Sequence, residues 1–341
     1  MQVTDGRGGL PKVTLTHPSG GLCDIYLRGA TIVSWVLGSG GEVFYMPENF
    51  AAPGVARGGS SFCFPQFGEG GEWPGSTPGG NRLPVDGIAK TSDWSLTQTG
   101  LLEDDHGEYP YVTVTLGDTE ASRAKWNHNF HITLDISLRH DVIDIFVSLK
   151  NTGNMCFECA AAFRSFISVT DVEEPTVKYV GLNDCVYLDN MLHSKKPRVR
   201  FADECQDKEG VHLYGPTDRV YLNTSNLTGV EVGTGCTLLV RELCSKGAFG
   251  FSDRAIFNPW KQADADNYRW YAGFASGAIG KLIKLEPGCT HASILRFEVF
   301  DGVQSKANLA GTVSSENPAL QKTSVRPKHD LLVEELPIDL Q

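Results

Sequence analysis

Residues 56–94 are the most informative stretch of the chain, and they read ARGGSSFCFPQFGEGGEWPGSTPGGNRLPVDGIAKTSDW. It contains a short apolar run at residues 62–67 and ends in a polar cluster at residues 86–90. Glycine and proline recur every few residues between the two, which excludes regular secondary structure there. A strand, an irregular loop and a polar cluster predict a ligand-binding rim on a β scaffold. The simpler interpretation is a surface loop with incidental glycines.

Alternation of apolar and polar residues recurs on both sides of this stretch and predicts strands. The 37 glycines and the aromatic content of 10% favour strands and turns over helices. Tight turns are predicted at residues 18–21 and 140–141, which makes the flanking strands antiparallel hairpins. The predicted strands cover residues 12–17, 22–27, 29–35, 42–45, 109–116, 130–139, 142–151, 157–170, 176–187, 235–241, 248–251, 255–260, 279–285 and 291–299.

Size and charge limit the classes of protein that the chain can belong to. With 341 residues, of which 41% are hydrophobic, it can bury a large single core. The net charge of −11 opposes a nucleic-acid-binding face, and no apolar run approaches the roughly 18 residues of a membrane span. Residues 302–341 are polar and proline-containing, which predicts a β domain at 1–301 followed by a tail that is disordered or bound to a partner.

The nine cysteines are scattered and odd in number, which predicts reduced thiols in an intracellular compartment. The C-x-x-C at Cys156 and Cys159 has no second pair, so a strand is favoured over a redox or zinc site. We expect no metal and no cofactor. The first residues are expected to form neither a secretory apolar region nor an Arg/Ser-rich transit segment. The alternative is a mature form from which a targeting peptide has been removed, so cytoplasm and chloroplast both stay open as compartments.

The motifs RGG at residues 57–59 and CFPQFG at residues 63–68 resemble those of the hexose-6-phosphate mutarotases. These are the glucose-6-phosphate 1-epimerase branch of the aldose 1-epimerase, or galactose mutarotase-like, family. Residues 29–35, 217–222 and 257–260 resemble further segments of that family. The resemblance implies an all-β fold, a β-supersandwich of large, mostly antiparallel sheets with the site on a concave sheet face. Hairpin spacing agrees with that fold.

The resemblance places the family's catalytic acid at Arg164 and its catalytic base at Ala275. Mutarotation needs an acid and a base that exchange protons near neutral pH. A guanidinium stays protonated and alanine has no titratable group, so neither residue can serve. Catalysis by other residues is the alternative, and the candidates are Glu158, Asp189, His193 and His212.

Five substrate-binding positions follow from the resemblance: Arg57, Gln66, Asp86, Lys90 and Asp218. Arg57 corresponds to a residue that binds the sugar phosphate, and Asp218 to one that contacts sugar hydroxyls. Lys90 stands where the family has a second phosphate-binding arginine; it keeps the charge and loses the bidentate geometry. Asp86 stands where the family has a pocket histidine.

We predict an ion pair between Arg164 and Asp86, because both replace histidines that face one pocket and a buried unpaired arginine is costly. The alternative is that Arg164 points to solvent at the pocket mouth. His128 resembles a family histidine at the start of a strand, and a packing role is favoured over a role in the site.

Three functions are consistent with these residues. The first is a catalytically inactive aldose 1-epimerase-like protein that acts as a binding or structural subunit. One precedent is a chloroplast lineage of mutarotase-like subunits in the photosynthetic NADH-dehydrogenase-like complex. The second is an active glucose-6-phosphate 1-epimerase, and the third a sugar-phosphate-binding module without catalysis. The expected partners are a sugar phosphate and a protein complex contacted through the tail, with no nucleic acid.

Overall fold

The computed structural model describes residues 2–48, 58–69, 83–183, 185–191, 198–200, 210–243, 250–262 and 266–302. Arg57 and His193 therefore lie outside the described residues, as do the middle of the glycine-rich loop and the predicted tail from residue 303 onward. Among the described residues, no helix has the length and apolar character needed to cross a bilayer.

Strands make up most of the regular secondary structure of the described chain. They are β1 (Val3–Asp5), β2 (Pro11–Thr16), β3 (Leu22–Tyr26), β4 (Thr31–Val36), β5 (Ser60–Cys63), β6 (Ser95–Asp104), β7 (Gly107–Gly117), β8 (Phe130–Arg139), β9 (Val142–Asn151), β10 (Phe157–Ser168), β11 (Val177–Val180), β12 (Tyr187–Asp189), β13 (Arg198–Arg200), β14 (Thr217–Tyr221), β15 (Leu227–Val232), β16 (Cys236–Glu242), β17 (Asp253–Asn258), β18 (Tyr271–Leu285) and β19 (Thr290–Asp301). One α-helix, α1 (Glu120–Lys125), and the short 3-10 turns Arg7–Gly9, Ala89–Thr91, Trp260–Gln262 and Asp266–Trp270 complete the set.

These strands form two large antiparallel sheets. The eleven-stranded sheet has the order β1-β2-β3-β4-β5-β10-β18-β17-β14-β12-β13. The eight-stranded sheet has the order β11-β15-β16-β19-β9-β8-β7-β6. Every pairing between named strands is antiparallel. The predicted all-β fold of large, mostly antiparallel sheets is confirmed.

The main core lies between the two sheets. Strand alternation explains it, because every second residue of β8 points inward, and Ile132, Leu134 and Ile136 have no exposed surface. Burying an aliphatic side chain of this size stabilises the fold by about 1.5–3 kcal/mol. The predicted strands at 130–139 and 142–151 coincide with β8 and β9, and the turn between them places Asp141 at φ 52°.

Two predicted strands are wrong. Residues 176–187 form β11 and β12, which lie in different sheets. The chain turns between them at Gly181, whose φ is +80° and where an added Cβ would lie 2.4 Å from the Leu227 carbonyl oxygen. Residues 42–45 form only isolated bridges, between Glu42 and Val36 and between Phe44 and Ile167. The Glu42 carboxylate also accepts a hydrogen bond from the Trp35 amide at 2.6 Å.

Half of the predicted strand at 248–251 falls outside the described residues, and its described half, Gly250 and Phe251, is not in a strand.

Candidate functional site

The eleven-stranded sheet buries side chains on both of its faces. Phe163, Phe274 and Ile256 belong to the core between the sheets. Their neighbours along the strands point the other way and form a second apolar cluster. Its members are Cys63, Phe67, Ala160, Ala162, Phe166, Val220, Ala255, Phe257, Tyr271, Ala275 and Ile279. Small alanine side chains lie at the centre of this face, and the candidate site is built around them.

Arg164 and Ala275 lie directly opposite each other on neighbouring strands of this face. Arg164 of β10 pairs with Ala275 of β18, and Ala275 pairs in turn with Ala255 of β17. Directly opposed residues of an antiparallel pair have Cβ atoms about 5 Å apart. The two positions that the resemblance assigns to acid and base are therefore brought together. Ala275 has no exposed surface.

The predicted ion pair between Arg164 and Asp86 is confirmed. Arg164 Nη1 donates a hydrogen bond to Asp86 Oδ1 at 2.7 Å. The guanidinium carbon also lies 4.2 Å from the ring centroid of Phe257 and 5.0 Å from that of Phe67. Only 17% of the Arg164 side chain is exposed, so the alternative, an arginine directed into solvent, is wrong.

Asp86 is the centre of a charge cluster. Its Oδ1 also accepts the Gly68 amide at 3.0 Å, and its Oδ2 accepts Lys90 Nζ at 3.1 Å. Burial opposes ionisation of Asp86, but the charges of Arg164 and Lys90 and the Gly68 hydrogen bond outweigh it and lower the pKa to about 2. Burial lowers the pKa of Arg164, and the Asp86 carboxylate more than offsets this, so that the pKa is raised overall. The cluster of Arg164, Lys90 and Asp86 carries one net positive charge.

The backbone around Asp86 is held against the CFPQFG motif. The Phe64 amide donates to the Asp86 carbonyl at 3.2 Å, and the Ile88 amide donates to the Phe64 carbonyl at 2.8 Å. Asp86 itself has φ 66°. Gly87 has φ +79°, and an added Cβ would lie 2.2 Å from the Phe64 carbonyl oxygen, so only glycine fits there. This close contact places the Asp86 carboxylate over β10.

Gln66 is buried in the same loop. Its Nε2 donates to the carbonyl oxygens of Gly68 at 3.3 Å and Pro84 at 3.2 Å. Its Oε1 has no hydrogen-bond partner in the part of the chain that is described. The Gln66 Nε2 hydrogen bonds thus hold the loop together. The Oε1 atom is left as the one able to accept a hydrogen bond from a ligand.

Asp218 of β14 lies on the same sheet face as Arg164. Its Oδ1 accepts a hydrogen bond from Asn190 Nδ2 at 3.1 Å. Burial raises the pKa of Asp218, and the charge of Arg164 only partly opposes this. Asn190 was missed by sequence reasoning, and its Oδ1 is buried with no partner among the described side chains and backbone groups. Asn190 directly follows β12, and only the pairing of β12 with β14 brings it next to Asp218.

The candidates for substitute catalysis are not assembled at this site in the described structure. Glu158 lies six residues before Arg164 on β10, roughly 20 Å away along the strand. Asp189 accepts the Met191 amide at 3.0 Å and alternates away from the site face. His212 contacts the Val177 carbonyl, at the edge of the other sheet. His193 lies outside the described residues.

Two further predictions concern residues away from the charge cluster. His128 packs against the rings of Trp126 and Phe157, with centroid distances of 4.6 and 5.2 Å, which confirms a packing role. Cys159 is buried in β10 and Cys156 is partly exposed just before it, and both thiols are free. Within the described residues, no three His, Cys, Asp or Glu side chains are arranged to hold a metal ion.

Comparison with known proteins agrees with this architecture. The sequence profile of the aldose 1-epimerase family matches residues 11–242. The chain belongs to the aldose 1-epimerase family. A relative in Cenchrus ciliaris, described as a putative glucose-6-phosphate 1-epimerase, is 26% identical over 301 residues, which cover 82% of each chain.

Solved structures of aldose 1-epimerase relatives share the fold. A putative mutarotase of Salmonella typhimurium superposes with a TM-score of 0.67 at 22% identity, over 86% of this chain and 91% of the other. A galactose mutarotase-like protein of Clostridium acetobutylicum superposes with a TM-score of 0.69 at 14% identity, over 88% and 98%. At these identities the likeness establishes the family's supersandwich fold and carries no information about activity.

Proposed function

We propose that this chain is a catalytically inactive member of the aldose 1-epimerase family that serves as a binding or structural subunit of a larger assembly. The observation that supports inactivity most directly is the environment of Arg164. It lies opposite Ala275 on the site face, is paired with Asp86 and is stacked on two aromatic rings.

The chemistry of these residues opposes mutarotation. Opening a sugar ring requires that one group accept the proton of the C1 hydroxyl while another donates a proton to the ring oxygen. The raised pKa of Arg164 keeps its proton bound, and Ala275 cannot accept one. Asp86 has a pKa of about 2 and is held by two cations, which makes it a weak base. Each missing acid or base costs on the order of 10²–10⁴-fold in rate.

Exchange NMR on glucose 6-phosphate tests the inactivity. We expect the interconversion of α and β anomers to proceed at the rate in buffer alone, with an active hexose-6-phosphate mutarotase as positive control. An acceleration that Asp218→Asn abolishes would show catalysis at this site and contradict the proposal.

The subunit role is tested by the native mass of the protein in its source. We expect the chain to migrate with a large assembly, and the photosynthetic NADH-dehydrogenase-like complex is the first to examine, because mutarotase-like subunits occur there. Migration at the mass of a single chain would contradict this part of the proposal.

A sugar-phosphate-binding module is the second candidate, and one observation favours it. The cluster of Arg164, Lys90 and Asp86 keeps one net positive charge, and the neighbouring Asp218 and Asn190 have oxygen atoms that can accept hydrogen bonds from sugar hydroxyls. Calorimetric titration with glucose 6-phosphate tests it, with glucose and inorganic phosphate as controls. Binding that needs both the sugar and the phosphate, without anomer exchange, would support this candidate.

A further inference from the structure

The two sheets end in four edge strands of very different length. Among the described residues, β1 and β13 have three residues each and β11 has four, whereas β6 has ten. Within that part of the chain β6 pairs only with β7. An edge strand exposes a row of unpaired N–H and C=O groups, which is a template for a further strand. Among the strands that the structure describes, β6 is therefore the long edge.

The short edges carry features that block added strands, and the centre of β6 does not. β13 contains Arg198 and Arg200, and β11 contains Lys178 and is covered at Tyr179 by a bridge to Val211. Charged residues and short length are the usual protection of an edge. Residues 97–102 of β6 read TQTGLL, with no charged residue and no proline; the strand has one irregularity, at residues 96–98.

β6 is also poorly buried for so long a strand. None of its ten residues is fully buried, whereas β7, its pairing partner, buries several of its side chains. Leu101 is 57% exposed, opposite Pro110 of β7. An exposed leucine on an open strand is a contact point for an apolar side chain.

The charges beside Leu101 indicate what kind of segment fits. Glu103 of β6 lies directly opposite Glu108 of β7, and both are exposed. Neither carboxylate has an ion-pair partner in the described part of the chain. Like charges placed directly opposite each other destabilise a strand pair, and a cation on a strand added beside β6 would form a favourable cross-strand pair with Glu103.

We propose that β6 is an interface to which an extended segment of another protein adds as a further strand. An apolar side chain of that segment covers Leu101, and a lysine or arginine lies against Glu103, on the side of β6 away from Glu108. Strand addition of this kind takes its affinity from main-chain hydrogen bonds and its specificity from alternate side chains. The net charge of −11 opposes a second copy of this chain at so acidic an edge. The inference rests on the proposed role as a subunit and names the surface that would serve it.

Amide hydrogen exchange on the full chain tests the interface. The probe is a capped peptide of alternating valine and lysine, about nine residues long to match β6. At about ten times its dissociation constant, we expect exchange in β6 to slow about tenfold, with β1 unchanged as an internal control. A valine–glutamate peptide serves as the charge control and should give no protection. The variant Leu101→Lys/Glu103→Lys/Glu108→Lys should abolish the effect.

Three outcomes would overturn the interface: no protection by the lysine peptide, equal protection by both peptides, or protection that grows with the concentration of the chain alone. The last would identify a second copy as the occupant. If the native assembly forms and the triple variant still enters it at the wild-type level, the interface fails while the subunit role stands. If β6 is protected by the lysine peptide but the chain proves to be monomeric in its source, the subunit role fails while the interface stands.

Discussion

Replacement of Asp86 by asparagine is the perturbation whose effect can be calculated from the structure. Asp86→Asn keeps the shape of the side chain and removes its charge. Arg164, of which 17% of the side chain is exposed, then lacks its carboxylate, and Lys90 loses the same partner. Breaking a buried pair in this way is costly because the remaining charge is neither hydrated nor paired.

The lowered pKa of Asp86 gives the order of magnitude of the smallest loss that we expect. It falls from 3.8 to about 2 on folding, and each unit corresponds to about 1.4 kcal/mol. Ionisation of Asp86 therefore contributes about 2 kcal/mol at neutral pH. Removal of one partner from a buried ion pair costs about 3–5 kcal/mol in other proteins, which gives the upper bound.

Urea denaturation followed by circular dichroism measures this loss. We expect Asp86→Asn to lower the free energy of unfolding by about 2–5 kcal/mol with an unchanged m value. The matched control is Asp93→Asn, which breaks the exposed pair with Arg28 at 3.0 Å and should cost less than about 1 kcal/mol. Equal losses in the two variants would refute the claim that burial of the Asp86 pair stabilises the fold.

Further predictions concern pH, a second carboxylate and a glycine. Because the pKa of Asp86 is depressed in the folded chain, its contribution to the free energy of unfolding is present above pH 3.8 and is lost as the pH falls toward 2. Unfolding measured at a series of acidic pH values should show this loss in the wild type and not in Asp86→Asn. The pKa of Asp218 is raised mainly by burial, so Asp218→Asn should stabilise the chain at neutral pH, and a lower urea midpoint would contradict this. Gly87→Ala should lower the thermal midpoint more than Gly288→Ala. The two sites have nearly the same φ, +79° and +78°, but only the Cβ added at Gly87 would meet backbone, at 2.2 Å. Equal shifts of the midpoint would contradict a role for this close contact.

Local sequence patterns were sufficient to predict β8 and β9, which pair with each other and are consecutive in the sequence. Alternation defined β8 and β9 because each buries one face against the same core. The pairing of Arg164 with Asp86 was also predictable, since the family motifs put both residues at one pocket and a buried guanidinium needs a carboxylate.

Sequence reasoning missed the elements that depend on distant neighbours. The first half of β18 reads YAGFASGA, a run rich in residues of low strand propensity, and it is a strand because it lies between β10 and β17. β6 is different, since it pairs with the next strand in the sequence, β7; it was missed because it lacks a buried face of its own. Asn190 carries no local signal, and only the pairing of β12 with β14 brings it to Asp218.

The order of residues alone predicted the all-β class and carried the family motifs, and the resemblance assigns the acid and base positions to Arg164 and Ala275, because each of these is a property of short segments. The folded chain decided how Arg164 is held. Arg164 and Asp86, which are 78 positions apart, form one ion pair only because β10 and the Asp86 loop are held together. Electrostatic energy depends on distance and burial, and both are set by packing between segments remote in sequence.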